Sequence, residues 1–305
     1  MANTDVILPV NPAKPMPEVR TITLGDLQDS LARGLDDFWS MPTHAIFLCM
    51  IYPVIGALLF SLPFNYNIVP LMFPIAAGFS LVGPLAAIFL YELSRRRELG
   101  LDTSWRHAFD IVHSPSLWPI IALALILLTI FALWIACAQA IFLALFGYGP
   151  VESLSEFARR VFSTPEGLRL ILIGNGVGFL FAVVAGSVSV VSFPLLLDRD
   201  VGFPAAVLTS LAAIGRNPGV MAVWGLIVGA ALVLGTLPFF LGLAIVMPVL
   251  GHATWHLYRK VVVPEAATRP EFQPGPRAVR FAADFPACLF APSAPIDRNQ
   301  SSSRS

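Results

Sequence analysis

The sequence predicts an all-α integral membrane protein: about six transmembrane helices in three repeated hairpins, each preceded by a cytoplasmic amphipathic helix. Three observations carry this. The 305 residues are 56% hydrophobic and 12% charged, with a mean hydropathy of +0.76, where soluble domains carry about 25% charged residues. No Asp, Glu, Lys or Arg occurs from Thr43 to Tyr91, Leu117 to Val151, Leu170 to Leu197 or Gly219 to Tyr258, and such runs suit a hydrocarbon core about 30 Å thick. Finally, one pattern comes back three times: an amphipathic stretch, a proline, then two apolar runs. The prolines are Pro42 in Ser40-Met41-Pro42, Pro115 in His113-Ser114-Pro115 and Pro218 in Arg216-Asn217-Pro218.

The elements follow in order. Residues 1–20 are polar and broken by Pro9, Pro12, Pro15 and Pro17, which predicts a disordered arm. The membrane domain is expected over 21–263, with repeats at about 21–93, 101–200 and 201–260. Thr23 and Asp26 form a capping-box-like pair that starts the first amphipathic helix. Its apolar face is Leu24, Leu27, Leu31, Leu35 and Phe38, and its charged face is Asp26, Asp29, Arg33 and Asp37. Surface-seeking membrane helices are rich in Lys and Arg, so this acidic helix is expected to dock on the protein itself or on a partner. The first span is about 44–62, and the second about 68–91, ~36 Å at 1.5 Å per residue, closed by Arg95-Arg96-Arg97.

A second amphipathic stretch runs from Asp102 to Val112, with Trp105, Ala108, Phe109 and Val112 on one face. The third span covers about 117–146. A surface helix follows at 149–163, with Glu156 and Arg160 as an i,i+4 pair. Thr164 caps and Pro165 starts the fourth span, which ends before Asp198-Arg199-Asp200. The third amphipathic stretch is 203–215. The charge-free run after it would make one helix of about 60 Å, twice the hydrocarbon thickness, so a turn at Gly235-Thr236-Leu237-Pro238 divides it into spans at about 219–235 and 238–258. Residues 264–305 have no periodicity and read as a disordered Pro-, Ser- and Arg-containing tail.

Six spans put both termini on one side. That side holds 16 of the Lys and Arg residues against Arg159, Arg160 and Arg169 on the other, so positive-inside asymmetry predicts a multi-pass inner-membrane protein with cytoplasmic N- and C-termini. The first forty residues carry no apolar signal-peptide core. Zero net charge gives no electrostatic case for nucleic acid. Cys49 and Cys137 read as packing residues, and Cys288 falls in the tail.

The remaining motifs are structural in first reading. Gly174, Gly178, Ala182 and Gly186, with Gly225 and Gly229, form small-residue stripes suited to close helix packing in lipid. Gly174-Asn175-Gly176-Val177-Gly178 superficially matches a phosphate loop but follows no strand, so no nucleotide is expected. Pro84, Pro194 and Pro248 lie in the second helix of each hairpin, where each permits a kink. His252 and His256 are spaced i,i+4 and share a helix face, as two metal ligands would. With His44, His107 and His113 they lie towards one leaflet, where a metal or a haem is the sharper reading and an interfacial belt of His252, Trp255, His256 and Tyr258 the blander one. No cofactor is predicted. The span interiors offer Gln139, Asn175 and hydroxyls in place of the charged groups of ion-coupled transporters, and no Ser/His/Asp set or acidic pair suggests hydrolysis.

Over residues 21–263 the chain resembles an uncharacterised bacterial family of predicted integral membrane proteins, a domain of unknown function some of whose members carry a cytochrome c oxidase subunit label. The residues that carry the resemblance are Gly83-Pro84 with Leu90-Tyr91-Glu92-Leu93-Ser94-Arg95-Arg96, then Ser192 to Asp200, Asn217-Pro218, and Gly251-His252-Ala253-Thr254-Trp255-His256. It transfers no catalytic residues. Five histidines are too few for a haem–copper catalytic subunit. The expected role is therefore a non-enzymatic accessory or assembly scaffold of a membrane complex, with a respiratory oxidase as the partner the label implies. Two alternatives stand beside it: a channel or carrier for a neutral or lipidic solute, and a haem- or metal-binding redox protein using His252 and His256.

Overall fold

The computed structural model describes residues 16–41, 50, 54, 66–79, 83–149, 153–238 and 240–264. The expected arm up to residue 15, most of the first expected span, Cys49, and the expected tail with Cys288 lie outside the described residues. Among the described residues the chain is helical, with one isolated antiparallel bridge between Val19 and Val262.

Helix α1 (Leu24–Ser40) starts at a full capping box. The Thr23 N–H donates to Asp26 Oδ2 at 2.9 Å, and the Asp26 N–H donates to Thr23 Oγ1 at 3.3 Å. This satisfies two of the amides that a helix start leaves without partners. The helix ends at Met41 (φ −135°, ψ 42°), whose N–H reaches the carbonyls of Asp37 and Phe38. Asn217 ends α8 (Phe203–Arg216) at φ −129°, ψ 48°, with its N–H on Ala213 and Ile214. One backbone device thus precedes both Pro42 and Pro218, because a residue before proline is pushed out of the helical region. The middle repeat departs from it. Trp105–His113 is a 3₁₀ helix, and its cap Ser114 is extended at φ −70°, ψ 140°.

Three stretches of the described residues are long and apolar enough to cross a membrane: α4 (Leu117–Phe146); α6 (Pro165–Ser189), which continues into α7 (Ser192–Asp198); and α9 (Pro218–Thr236). Thr164 caps α6 as expected, accepting from the Gly167 N–H at 3.1 Å. The surface helix is α5 (Leu154–Ser163). Its expected Glu156–Arg160 pair is replaced by Glu156–Arg159 at 2.7 Å, and the Arg160 guanidinium sits 4.9 Å above the Phe146 ring. The aromatic face drew Arg160 away from the carboxylate.

Over the second expected span, the described residues form a 3₁₀ turn (Tyr66–Leu71) that contains Pro70, then α2 (Met72–Phe79), then α3 (Gly83–Glu98), which runs a further two turns past Tyr91. Its arginines sit in the last turn, where cations suit the helix dipole, and Arg95 pairs with Glu92 at 2.8 Å. The last expected span also differs. Helix α10 (Leu243–Val261) is buried along most of its length, and a turn with Phe240 at φ 64° separates it from α9.

The three kink prolines take different places. Pro84 is the second residue of α3, where no helical N–H is missed. Pro194 lies in the first turn of α7, just after the helix breaks at Val190-Val191. Ser192 and Ser210 serve that break: Ser192 Oγ donates to the Val188 carbonyl at 2.6 Å, and the Val191 N–H donates to Ser210 Oγ at 3.3 Å. Only Pro248 of the three is helix-interior, within α10.

Of the small-residue stripes, Gly178 meets a neighbour: a Cβ there would come 2.9 Å from the Trp134 ring of α4. Positions 174, 186, 225 and 229 have open space where a Cβ would stand.

Candidate functional site

The most polar buried region lies where α1, α3 and α10 meet. Helix α1 packs antiparallel along α10. Lys260 at one end reaches Asp29 at 2.9 Å, Gly34 lies against Ala253 in the middle, and Phe38 joins Leu90, Leu243 and Met247 at the other end. The buried face of α1 is Leu27, Ser30, Gly34, Asp37 and Phe38. Leu24 and Leu35, expected on the apolar contact face, are exposed, and Asp37, expected on the water face, is 3% exposed. The contact arc is rotated from the apolar one because the close approach needs small residues, and Ser30 and Gly34 supply them.

Asp37 is the hub. Ser94 Oγ donates to Asp37 Oδ2 at 2.6 Å, and His256 Nε2 lies 2.9 Å from the same oxygen. Arg97 binds Asp37 Oδ1 and reaches Asp36 at 2.9 Å. His252 Nδ1 lies 2.7 Å from Ser94 Oγ. An ionised carboxylate only accepts, so the single Ser94 proton goes to Asp37, and Ser94 must accept from His252 Nδ1–H. That puts a proton on His252 Nδ1, in a ring that is fully buried. Burial pushes the Asp37 carboxyl up, but the bonds from His256, Ser94 and Arg97 outweigh it and hold the group at about 2.

A second cluster ties the C-terminal ends of α3, α7 and α10. Arg259 binds Glu98 at 3.0 Å and Asp198 at 3.5 Å. The Tyr258 hydroxyl donates to Asp198 at 2.6 Å, and Trp255 Nε1 donates to Glu98 at 3.1 Å. On the flank, His107 sits between Asp110 at 2.7 Å and Asp102 at 3.2 Å. Asn217 fastens the segment before α1: its Oδ1 accepts from the Ile22 N–H at 2.8 Å, and its Nδ2 donates to the Arg20 carbonyl at 3.0 Å.

The sequence-predicted pair His252 and His256 does come together, around a carboxylate–hydroxyl pair of the chain itself. Each ring is oriented by Asp37 or Ser94. Among the described residues no three His, Cys, Asp or Glu side chains are placed to hold a metal ion. His44 and the His113 side chain lie outside what is described. Sequence reasoning gave Asp37, Ser94, Arg97 and Asn217 no role in a site. The signals available were the place of Asp37 one residue before the expected core Phe38, and Ser94 and Asn217 within the motifs that carry the family resemblance.

Chemically the arrangement is a clamp: carboxylates facing guanidinium, imidazole and hydroxyl groups across helix–helix contacts. Together with the three apolar stretches it defines a helical integral membrane protein. Residues 72–198 match the family profile described as "Predicted integral membrane protein (DUF2189)". The match includes Gly83-Pro84, Leu90 to Arg96 and the segment up to Asp198, and it bears out the resemblance those residues carry. No curated protein and no solved structure matches the chain.

Proposed function

We propose that this protein is a non-enzymatic accessory or assembly scaffold of a membrane complex, held in an inner membrane with both termini on the cytoplasmic side. The observation that supports this reading is how the buried charged groups are used. Asp37, Arg97, His256, Glu98, Asp198 and Arg259 bind one another across α1, α3, α7 and α10. Among the described residues, each of these groups has its bonds on other groups of the chain itself. The stretches able to cross the bilayer have no charged residue in α4 or α9, and α6 carries Glu166 and Arg169 in its first turns alone. Such spans fit lipid and partner helices better than an ion pathway.

The test is affinity purification of the tagged full chain in mild detergent. A stoichiometric membrane complex, respiratory or other, is expected to co-purify. A clean, partnerless protein, together with intact membrane complexes in a deletion strain, overturns the reading. The sidedness is tested separately by a reporter fused after Gly149. Activity of a periplasm-specific reporter there is expected, and activity of a cytoplasm-specific one overturns the topology.

A further inference from the structure

The third amphipathic stretch raises a question that its packing answers. Helix α8 carries no Asp, Glu, Lys or Arg from Phe203 to Gly215. Its inner face, Ala206, Thr209, Ser210 and Ala213, is buried. Its outer face carries Pro204, Leu208, Leu211, Ala212 and Gly215, with Leu208 52% exposed, and ends at exposed Arg216, whose Nε donates to Thr21 Oγ1 at 3.3 Å. A helix that faced water there would carry polar residues on that side. Helix α1 does so in part, with Gln28, Arg33 and Asp36 among Leu24, Leu35 and Trp39 on its exposed arc.

The helix is also too short to cross. Fourteen residues extend about 21 Å, against a hydrocarbon thickness of about 30 Å.

Both of its ends are tied to the same place. On the N-terminal side, Arg199 donates to the carbonyl of Val263. On the C-terminal side, Asn217 binds Arg20 and Ile22. Those two anchors belong to one short antiparallel pairing, in which the Arg20 N–H donates to the Val261 carbonyl at 2.7 Å and the Val263 N–H to the Glu18 carbonyl at 2.9 Å. An element with both ends on one such pairing lies across the end of the helix assembly. It then leads through Pro218 directly into α9, whose Leu226 is 69% exposed on a bilayer-length apolar helix. The chain thus passes from α8 straight into a helix whose exposed side chains are apolar.

We propose that α8 is an in-plane interfacial helix, with Leu208 and Leu211 inserted at the boundary between headgroups and acyl chains. Its occupant is lipid rather than a protein groove. Because the only cation of α8 is Arg216 at its very end, the contact along the helix is apolar and does not require anionic lipid, unlike the Lys- and Arg-rich helices that bind membranes by charge.

The test uses the full chain with Cys49, Cys137 and Cys288 replaced by Ser. Single cysteines at Leu208 or Leu211 are spin-labelled in phosphatidylcholine nanodiscs. Gln28 serves as a water-facing reference and Leu226 as a lipid-facing one, all four positions being exposed. Accessibility to oxygen and to a water-soluble nickel chelate is then compared. At Leu208 and Leu211 the expected result is at least a several-fold lower nickel accessibility than at Gln28, with oxygen accessibility raised towards that at Leu226 and unchanged by 0.5 M salt, which screens charge beyond ~4 Å. Nickel accessibility equal to that at Gln28 means that α8 faces water and overturns the proposal. Protection from both reagents means that protein covers the face, and overturns it equally.

Discussion

Replacing Asp37 by Ala is expected to be among the most damaging single changes in the described part of the chain, and to act by releasing α1 from α10. The carboxylate is 3% exposed and takes bonds from Ser94, His256 and Arg97. Removing it leaves buried Ser94 and largely buried His256 without their shared acceptor, while Arg97 keeps only its exposed partner Asp36. Breaking one partner out of a buried charged network costs about 3–5 kcal/mol, whereas an exposed pair is worth about 0–1 kcal/mol. The comparison is therefore Asp37→Ala against Asp29→Ala, whose pairs with Arg33 and Lys260 are open to solvent. Thermal midpoints in mild detergent should fall sharply for the first and little for the second. Equal shifts would mean that Asp37 is not a hub. Acid should have a related effect. The folded-state value of about 2 lies below the ordinary 3.8, so the stabilisation is fully present above about pH 4 and is lost as pH falls towards 2. By linkage it amounts to about 2 kcal/mol. The wild-type midpoint should decline over that window, and the Asp37→Ala midpoint should decline less.

What could be read without coordinates was whatever depends on local pattern. Thr23 with Asp26, Thr164 with Pro165 and the third span at 117–146 are short-range signals, and each is where the residues placed it. The rest depends on contacts far apart in sequence. Asp37 looked like one more residue of a charged face, because 3.6-residue periodicity cannot know that Ser94 and His256 will arrive opposite it. Arg160 looked like an i,i+4 partner of Glu156, because helix spacing does not include the Phe146 ring of the preceding helix. The last expected span shows only its length, because an uncharged run reads the same whether lipid or α1 covers it. The spacing of His252 and His256 shows a pair on one helix face. Their partner was invisible, since a ligand supplied by the protein itself leaves no spacing of its own. Pro84, Pro194 and Pro248 read alike as kink sites, yet they sit at a helix start, after a break and inside a helix. Sequence fixes where an N–H is missing, while the neighbouring hydroxyls of Ser192 and Ser210 decide whether the helix can be interrupted there.

Gly34→Ala is expected to destabilise the protein although it improves the local helix. Gly is about 1 kcal/mol worse than Ala in a helix interior, so an unpacked Gly34 would gain from the change. Here a Cβ would stand 2.5 Å from the Ala253 amide nitrogen and 2.7 Å from both its Cα and Cβ. Backbone cannot swing aside as a side chain can, so α1 must move off α10, and overpacking of this kind costs typically 1–3 kcal/mol. The displacement would also stretch the bonds to Ser94 and His256 one turn further along α1, where Asp37 sits, which raises the cost above that of a contact between apolar residues alone. The clash should therefore win over propensity, and Gly34→Leu should be worse still. Ala32→Leu on the exposed side of the same helix should be near neutral. Adding Ala253→Gly to Gly34→Ala removes the contact at Ala253 Cβ and leaves the one at the amide nitrogen, so it should recover part of the lost midpoint and not all of it. A Gly34→Ala protein as stable as wild type, or more so, would mean that α1 does not rest on α10 at this point, and the clamp around Asp37 would lose the contact that holds it closed.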